Sequence, residues 1–265
     1  MGGVSLEASV GESAFVVLTL ATGLTAALSA VVGMAGGITL LSVMLLYLDP
    51  LIVIPIHGVV QLASNGSRTW VQREHLHWNI VGRYAVFALP AGLLGFRFAQ
   101  TIPPQALKAL IGFFVLGVTW RPSGLNFRRR TRAPNPNRRF LILGGVTGFL
   151  NMLIGATGPV IAPFFLDLGL DRRALVGTKA ACQAVGHLAK VLVFAVAGFS
   201  FLHWAPLLGS LIAAAFLGTF LGSRLLDRVN EVWFVRLYKG VLSLLAIRLI
   251  WAFVMNLASP GGSGT

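Results

Sequence analysis

The stretch VVGMAGGITLLSV, Val31–Val43, lies inside an apolar run yet carries three glycines, Gly33, Gly36 and Gly37. Each costs a helix interior about 1 kcal/mol relative to alanine. A simple spanning helix gains nothing from such an interruption, so what surrounds it decides the fold.

The surroundings are apolar almost throughout. The 265 residues are 56% hydrophobic and only 11% charged, against roughly 25% charged in a soluble domain. Mean hydropathy is +0.81. Apolar runs cover 14–48, 51–67, 79–99, 105–120, 140–166, 174–199, 204–223 and 232–257. A spanning helix needs about 20 such residues, so the chain reads as an all-α polytopic membrane protein. The net charge of +13 does not point to nucleic acid. Its Arg and Lys residues sit between the apolar runs, where they set insertion topology. The first 14 residues hold Glu7 and Glu12 but no base, so no cleavable signal is expected. Cys182 has no internal partner for a disulfide and reads as packing.

Residues 121–139, RPSGLNFRRRTRAPNPNRR, carry seven arginines and no acid, and read as a cytoplasmic linker. The chain divides there into a first transmembrane half, 1–120, and a second, 140–257, with a flexible tail at 258–265. The two halves repeat. The shift that carries Gly33 onto Gly155 also carries Gly36 onto Gly158, Gln61 onto Gln183 and Arg68 onto Lys190. It sets His57 against Lys179 and Asn65 against His187.

Charge bias separates parallel from inverted repeats. The loop near 68–83 has Arg68, Arg73 and Arg83, whereas its counterpart near 197–205 has no base. The loop near 49–55 has none, whereas its counterpart near 167–179 has Arg172, Arg173 and Lys179. The bias flips, as inversion requires. The fold expected is two inverted repeats, each a Gly-broken re-entrant or hairpin segment (14–48 and 140–168) followed by three transmembrane helices. Eight simple spans are the alternative, and they would leave Arg224, Arg228 and Arg236 outside.

Helix breaks at membrane depth are tolerated where the backbone is buried or lines a polar cavity. Paired breaks in matching positions point to a binding site, and helix ends there offer N–H groups to an anion. Gly33, Gly36, Gly37, Gly155, Thr157 and Gly158 are the backbone candidates; close helix packing is their other reading. The helix after each break adds a stripe. His57, Gln61, Asn65 and Arg68 fall on one face, and so do Lys179, Gln183, His187 and Lys190. No member is acidic, which fits an anionic substrate. The amides can donate to its oxygens, and His57 or His187 can donate or carry a proton, which leaves proton coupling open. Arg68 and Lys190 read either as charge along the anion path or as snorkelling helix-end cations. Gln61 and Gln183 can instead bond between helices.

Other polar residues carry less. His75, His77 and His203 stand beside Trp78 and Trp204 and read as interfacial anchors. Asp49, Asp167 and Asp171 lie at run ends and read as caps or turn residues. No metal-ligand spacing, nucleophile elbow or phosphate-binding loop is present, so neither an enzyme nor a cofactor is expected.

At the openings GMAGGITLLSV and GATGPVIAPFF the chain resembles the sulfite exporter TauE/SafE family. HGVVQLASNGSR, GTKAACQAVGHLAK and the late GLLGFR and FLGSR add to the resemblance, which spans roughly 14–250. It implies a secondary transporter of a small sulfur-containing anion, such as sulfite or an organosulfonate, working outward in a bacterial cell membrane. Pro159 departs from the family's usual third glycine in the second opening. The mechanism expected is alternating access at the repeat interface. A passive anion channel and a non-transport membrane protein are the alternatives, and a homo-oligomer is compatible with either.

Overall fold

The structure, a computed structural model, describes residues 11–32, 36–120, 136–161, 163–166, 168–225 and 231–258. Gly33, Asp167, Arg228, most of the Arg-rich linker and nearly all of the tail lie outside them. The described residues are helical and hold no strand. In the first half, α1 (Glu12–Val32) and the short α2 (Gly36–Met44) flank the first break. They are followed by α3 (Pro50–Val71), α4 (Trp78–Ala99) and α5 (Pro104–Trp120). In the second half, α6 (Pro136–Leu153) precedes the break, and the four-residue helices α7 (Gly158–Ile161) and α8 (Pro163–Leu166) follow it. Then come α9 (Arg172–Val196), α10 (Ala205–Leu225) and α11 (Glu231–Ala258).

Local chemistry sets many of these boundaries. Proline opens α3, α5, α6 and α8, where its missing N–H would have no helical partner anyway. Pro136 therefore starts α6 inside the segment read above as linker. Asp171 caps α9, accepting from Arg173 N at 2.8 Å and Ala174 N at 3.0 Å. Asp49 stands before α3 without a capping bond and pairs instead with Lys108 at 3.2 Å.

Polarity is arranged as lipid demands. Among the described residues, four helical stretches are long and apolar enough to cross a membrane: Trp78–Ala99, Arg173–Val196, Ala205–Gly222 and Lys239–Asn256. Glu12–Ala27 and Pro104–Trp120 are shorter apolar helices. Leu93 and Leu94 of α4, Leu217 and Leu221 of α10, and Leu244 and Trp251 of α11 face outward. His57, Asn65, Asn151, Thr178, His187 and Lys190 are buried. A soluble protein would reverse this distribution. Trp204 departs from the anchoring role read above: it is only 4% exposed and packs in the core, while Trp78 is 61% exposed.

Helix packing crosses between the halves. α1 lies along α10, α4 along α6, α3 along α9 and α5 along α11. Small residues bring two of these pairs into backbone contact. A Cβ on Gly144 or Gly148 of α6 would strike the backbone of Tyr84 or Ala88 in α4. A Cβ on Gly218 or Gly222 of α10 would strike that of Gly23 or Ala27 in α1. Such packing replaces the hydrophobic drive that lipid does not supply. Within it, α2 touches α1, α3 and α11, and its Leu40, Leu41 and Met44 join Ile54, Ile111 and Leu242 in the main core.

Candidate functional site

α3 and α9 pack with their polar stripes toward each other, and both breaks meet them there. Between them lies a cavity of about 430 Å³, counted with its opening. From α3 it is lined by His57, Gln61, Asn65 and Arg68, and from α9 by Lys179, Gln183 and His187. The breaks contribute Gly37, Thr157 and Gly158. Ile38, Ala156 and Pro159 complete the lining. No carboxylate lines it among the described residues.

The two amides sit alike. Gln61 lies over Gly37, so close that a Cβ there would be 3.0 Å from Gln61 Nε2. Gln183 lies over Gly158 with the same separation. A side chain at either glycine would displace the amide above it. Asn65 turns its Nδ2 toward the carbonyl of Gln61 at 3.0 Å, in its own helix. Arg68 stands in the last turn of α3 and lines the same cavity as Lys179.

The histidines have defined surroundings. His57 Nε2 lies 2.8 Å from the carbonyl of Gly37. A carbonyl only accepts, so Nε2 carries the hydrogen and neutral His57 keeps a lone pair on Nδ1. That Nδ1 is buried with no protein partner among the described residues, and so is Nδ1 of His187. The two rings meet edge to face with centroids 6.0 Å apart.

Three of the sequence candidates stand apart from the cavity. Gly36 faces a smaller hollow on the other side of Gln61. Gly155 supports the second break: its φ is +77°, which favours glycine, and its carbonyl is taken by Lys190. Lys190 does not snorkel. It is fully buried, and its Nζ donates to Gly155 O at 2.7 Å. Its stem crosses α3 at Gly58, where a Cβ would come 2.9 Å from Lys190 Cδ.

A neighbouring polar cluster escaped the sequence reading. Tyr84 of α4 bonds Thr147 of α6 at 2.7 Å, and Asn151 Nδ2 donates to Gly186 O of α9 at 2.9 Å. Asn151 Oδ1 is buried and has no protein partner among the described residues. An amide one turn before Gly155, inside an apolar run, was the available signal.

Helices with outward-facing apolar surfaces around a base-lined cavity define a multi-pass membrane protein. The profile of the sulfite exporter TauE/SafE family matches residues 18–249, a span that includes both breaks and both stripes, and the chain belongs to that family. It is thus an integral membrane protein of an anion-exporter family. Searches of curated proteins and of solved structures each gave no match.

Proposed function

We propose that the chain is a secondary carrier that exports a small sulfur-containing anion, sulfite or an organosulfonate, across a bacterial cell membrane. The observation that carries this reading is the cavity itself. It gathers Arg68, Lys179 and two glutamine amides, with no opposing carboxylate among the described residues. A tetrahedral oxyanion presents several acceptor oxygens around one charge. Cations and amide donors match it, and the described lining residues include no carboxylate to repel it. The family supports the same substrate class.

The carrier works by alternating access between two inverted repeats, 1–120 and 140–257. The pattern of contacts supports this. Exchanging the helices that follow each break, α3 for α9, α4 for α10 and α5 for α11, and likewise α1 for α6, turns the pair α1–α10 into α4–α6. The pairs α3–α9 and α5–α11 map onto themselves, as a two-fold relation requires. The short α2 and the α7–α8 pair are the return arms of two hairpins whose tips meet at the cavity.

Counterflow in proteoliposomes tests the reading. Vesicles loaded separately with sulfite, thiosulfate, sulfoacetate, sulfate or acetate are offered labelled sulfite or sulfoacetate. Exchange with a sulfur anion, lost in a Lys179→Ala, Gln183→Ala variant, is the expected result. Rapid flux without counterflow would replace the carrier with a channel. Absence of any flux from folded protein would overturn the transport reading.

A further inference from the structure

Lys190 takes the least expected position in the molecule. It lies in the last third of α9, is 0% exposed, and reaches the carbonyl of Gly155 across α3. An ammonium offers three N–H donors, and the described residues provide it with that one acceptor. Neither ion pair among the described residues involves it. A buried charge without a counter-charge is costly, whereas the same charge beside an anion is not.

Among the described residues, the titratable and charged neighbours are all basic or neutral. His187 precedes Lys190 by one turn of α9, and His57 immediately precedes Gly58, the residue that its stem crosses. Lys179 of α9 and Arg68 of α3 line the adjoining cavity. α4 contributes only Tyr84, whose hydroxyl faces Gly186, and α6 contributes the uncharged Asn151. The breaks contribute no titratable group to the cavity lining. Nδ1 of His57 meanwhile holds a buried lone pair, and Nδ1 of His187 is also buried, each with no protein partner among the described residues.

We propose that Lys190 takes up a proton as an anion enters the cavity and gives it up as the anion leaves, so that one proton crosses with each anion. This rests on the carrier reading above. The proton comes from water on the side where the anion enters. A new N–H bond forms at the Nζ lone pair as the donor's bond to that proton breaks. The bound anion supplies the counter-charge, and the empty carrier returns without either. Lys190 is thus a positioning and coupling group beside the cavity and not part of its lining: it holds the second break through Gly155 and sets the stoichiometry.

Calorimetric titration of the purified protein tests this, using methanesulfonate, sulfoacetate and sulfite in buffers of different ionisation enthalpy. Sulfonates bring no proton of their own near neutral pH, so any buffer-dependent heat reports on the protein. The expected result is about one proton taken up per sulfonate group bound. In Lys190→Arg the guanidinium stays protonated throughout, so binding persists while uptake falls to zero. Lys190→Met loses uptake and binds at least about tenfold more weakly. Binding without proton uptake in the wild type would overturn the proposal and leave the carrier intact, and that measurement decides even if neither variant folds. Uptake that survives in Lys190→Arg would overturn it too. Failure of every anion to bind folded protein would sink the carrier reading and this proposal with it.

Discussion

Replacing Gly37 by alanine separates the stability of the first break from its use. Gly37 lies within α2 with ordinary helical backbone, since the positive-φ glycines among the described residues are Gly155, Gly169 and Gly198. An alanine Cβ would lie 3.0 Å from Nε2, 3.2 Å from Cδ and 3.3 Å from Oε1 of Gln61. Ordinary contact begins at 3.4 Å, so the whole amide must withdraw by several tenths of an ångström. Gln61 is flexible, and the fold absorbs this. Alanine favours the helix by up to about 1 kcal/mol, so stability holds or rises. If Gln61 donates to the anion as proposed, that bond is the casualty. A hydrogen bond to an ion contributes about 1.5–3 kcal/mol, which corresponds to about 10- to 100-fold in affinity. Counterflow should show a KM raised by about that factor, with an unchanged or higher thermal midpoint in detergent. Gly145→Ala is the control, because its Cβ would meet only Phe87 Cβ at 3.5 Å. In the absence of the amide, Gly37→Ala should add nothing to Gln61→Ala. A KM equal to wild type, or a midpoint that falls in step with transport, would refute the reasoning.

Other substitutions probe the supports around the cavity. Gly155→Ala forces an L side chain into φ +77° and brings its Cβ to 2.8 Å from Leu41 Cδ1; thermal unfolding should show a loss of about 1–3 kcal/mol. Tyr84→Phe removes the buried 2.7 Å bond to Thr147, which still donates to Leu143 O, so denaturation should register about 0.5–1.5 kcal/mol. The Asp171 carboxyl is held below its ordinary value by the N–H groups of Ala174 and Arg173. A depressed value means that its stabilisation is complete above the ordinary carboxylate range and is lost as pH falls through the folded-state value. Thermal midpoints measured down into acid should therefore fall more for wild type than for Asp171→Ala.

The glycine interruptions and the polar stripes were legible because each depends on a rule of local spacing. Gly36 and Gly158 open α2 and α7, and a four-four-three spacing put His57, Gln61, Asn65 and Arg68 on one face of α3. What spacing could not supply was the partner across the gap. Lys190 shares a face with Gln183 and His187 but leaves the cavity, because Gly58 opens a route across α3 toward Gly155. Gly33 lies outside the described residues, and Gly36 and Gly155 belong to the frame around the cavity. Trp204 looked like an anchor beside His203, yet its burial against Leu207, Leu208 and their neighbours is a tertiary outcome that no window of sequence records. Tyr84 of α4, Thr147 and Asn151 of α6, and Gly186 of α9 are far apart in the chain, so their hydrogen bonds became visible only once α6 lay beside α4 and α9.

The glycine contacts between α1 and α10 and between α4 and α6 also constrain how the protein is made. Each joins a helix of the first half to one of the second, and α1 waits for α10, which lies late in the chain. During synthesis α1 must wait in the bilayer, its Gly23 and Ala27 facing lipid, until most of the remaining chain has been inserted. The first half therefore cannot mature as a finished unit, and a ribosome that stops in the linker leaves two unpaired small-residue faces behind. Co-expression of separate halves should restore a folded protein only when both are inserted together, which makes membrane assembly of this chain a late event.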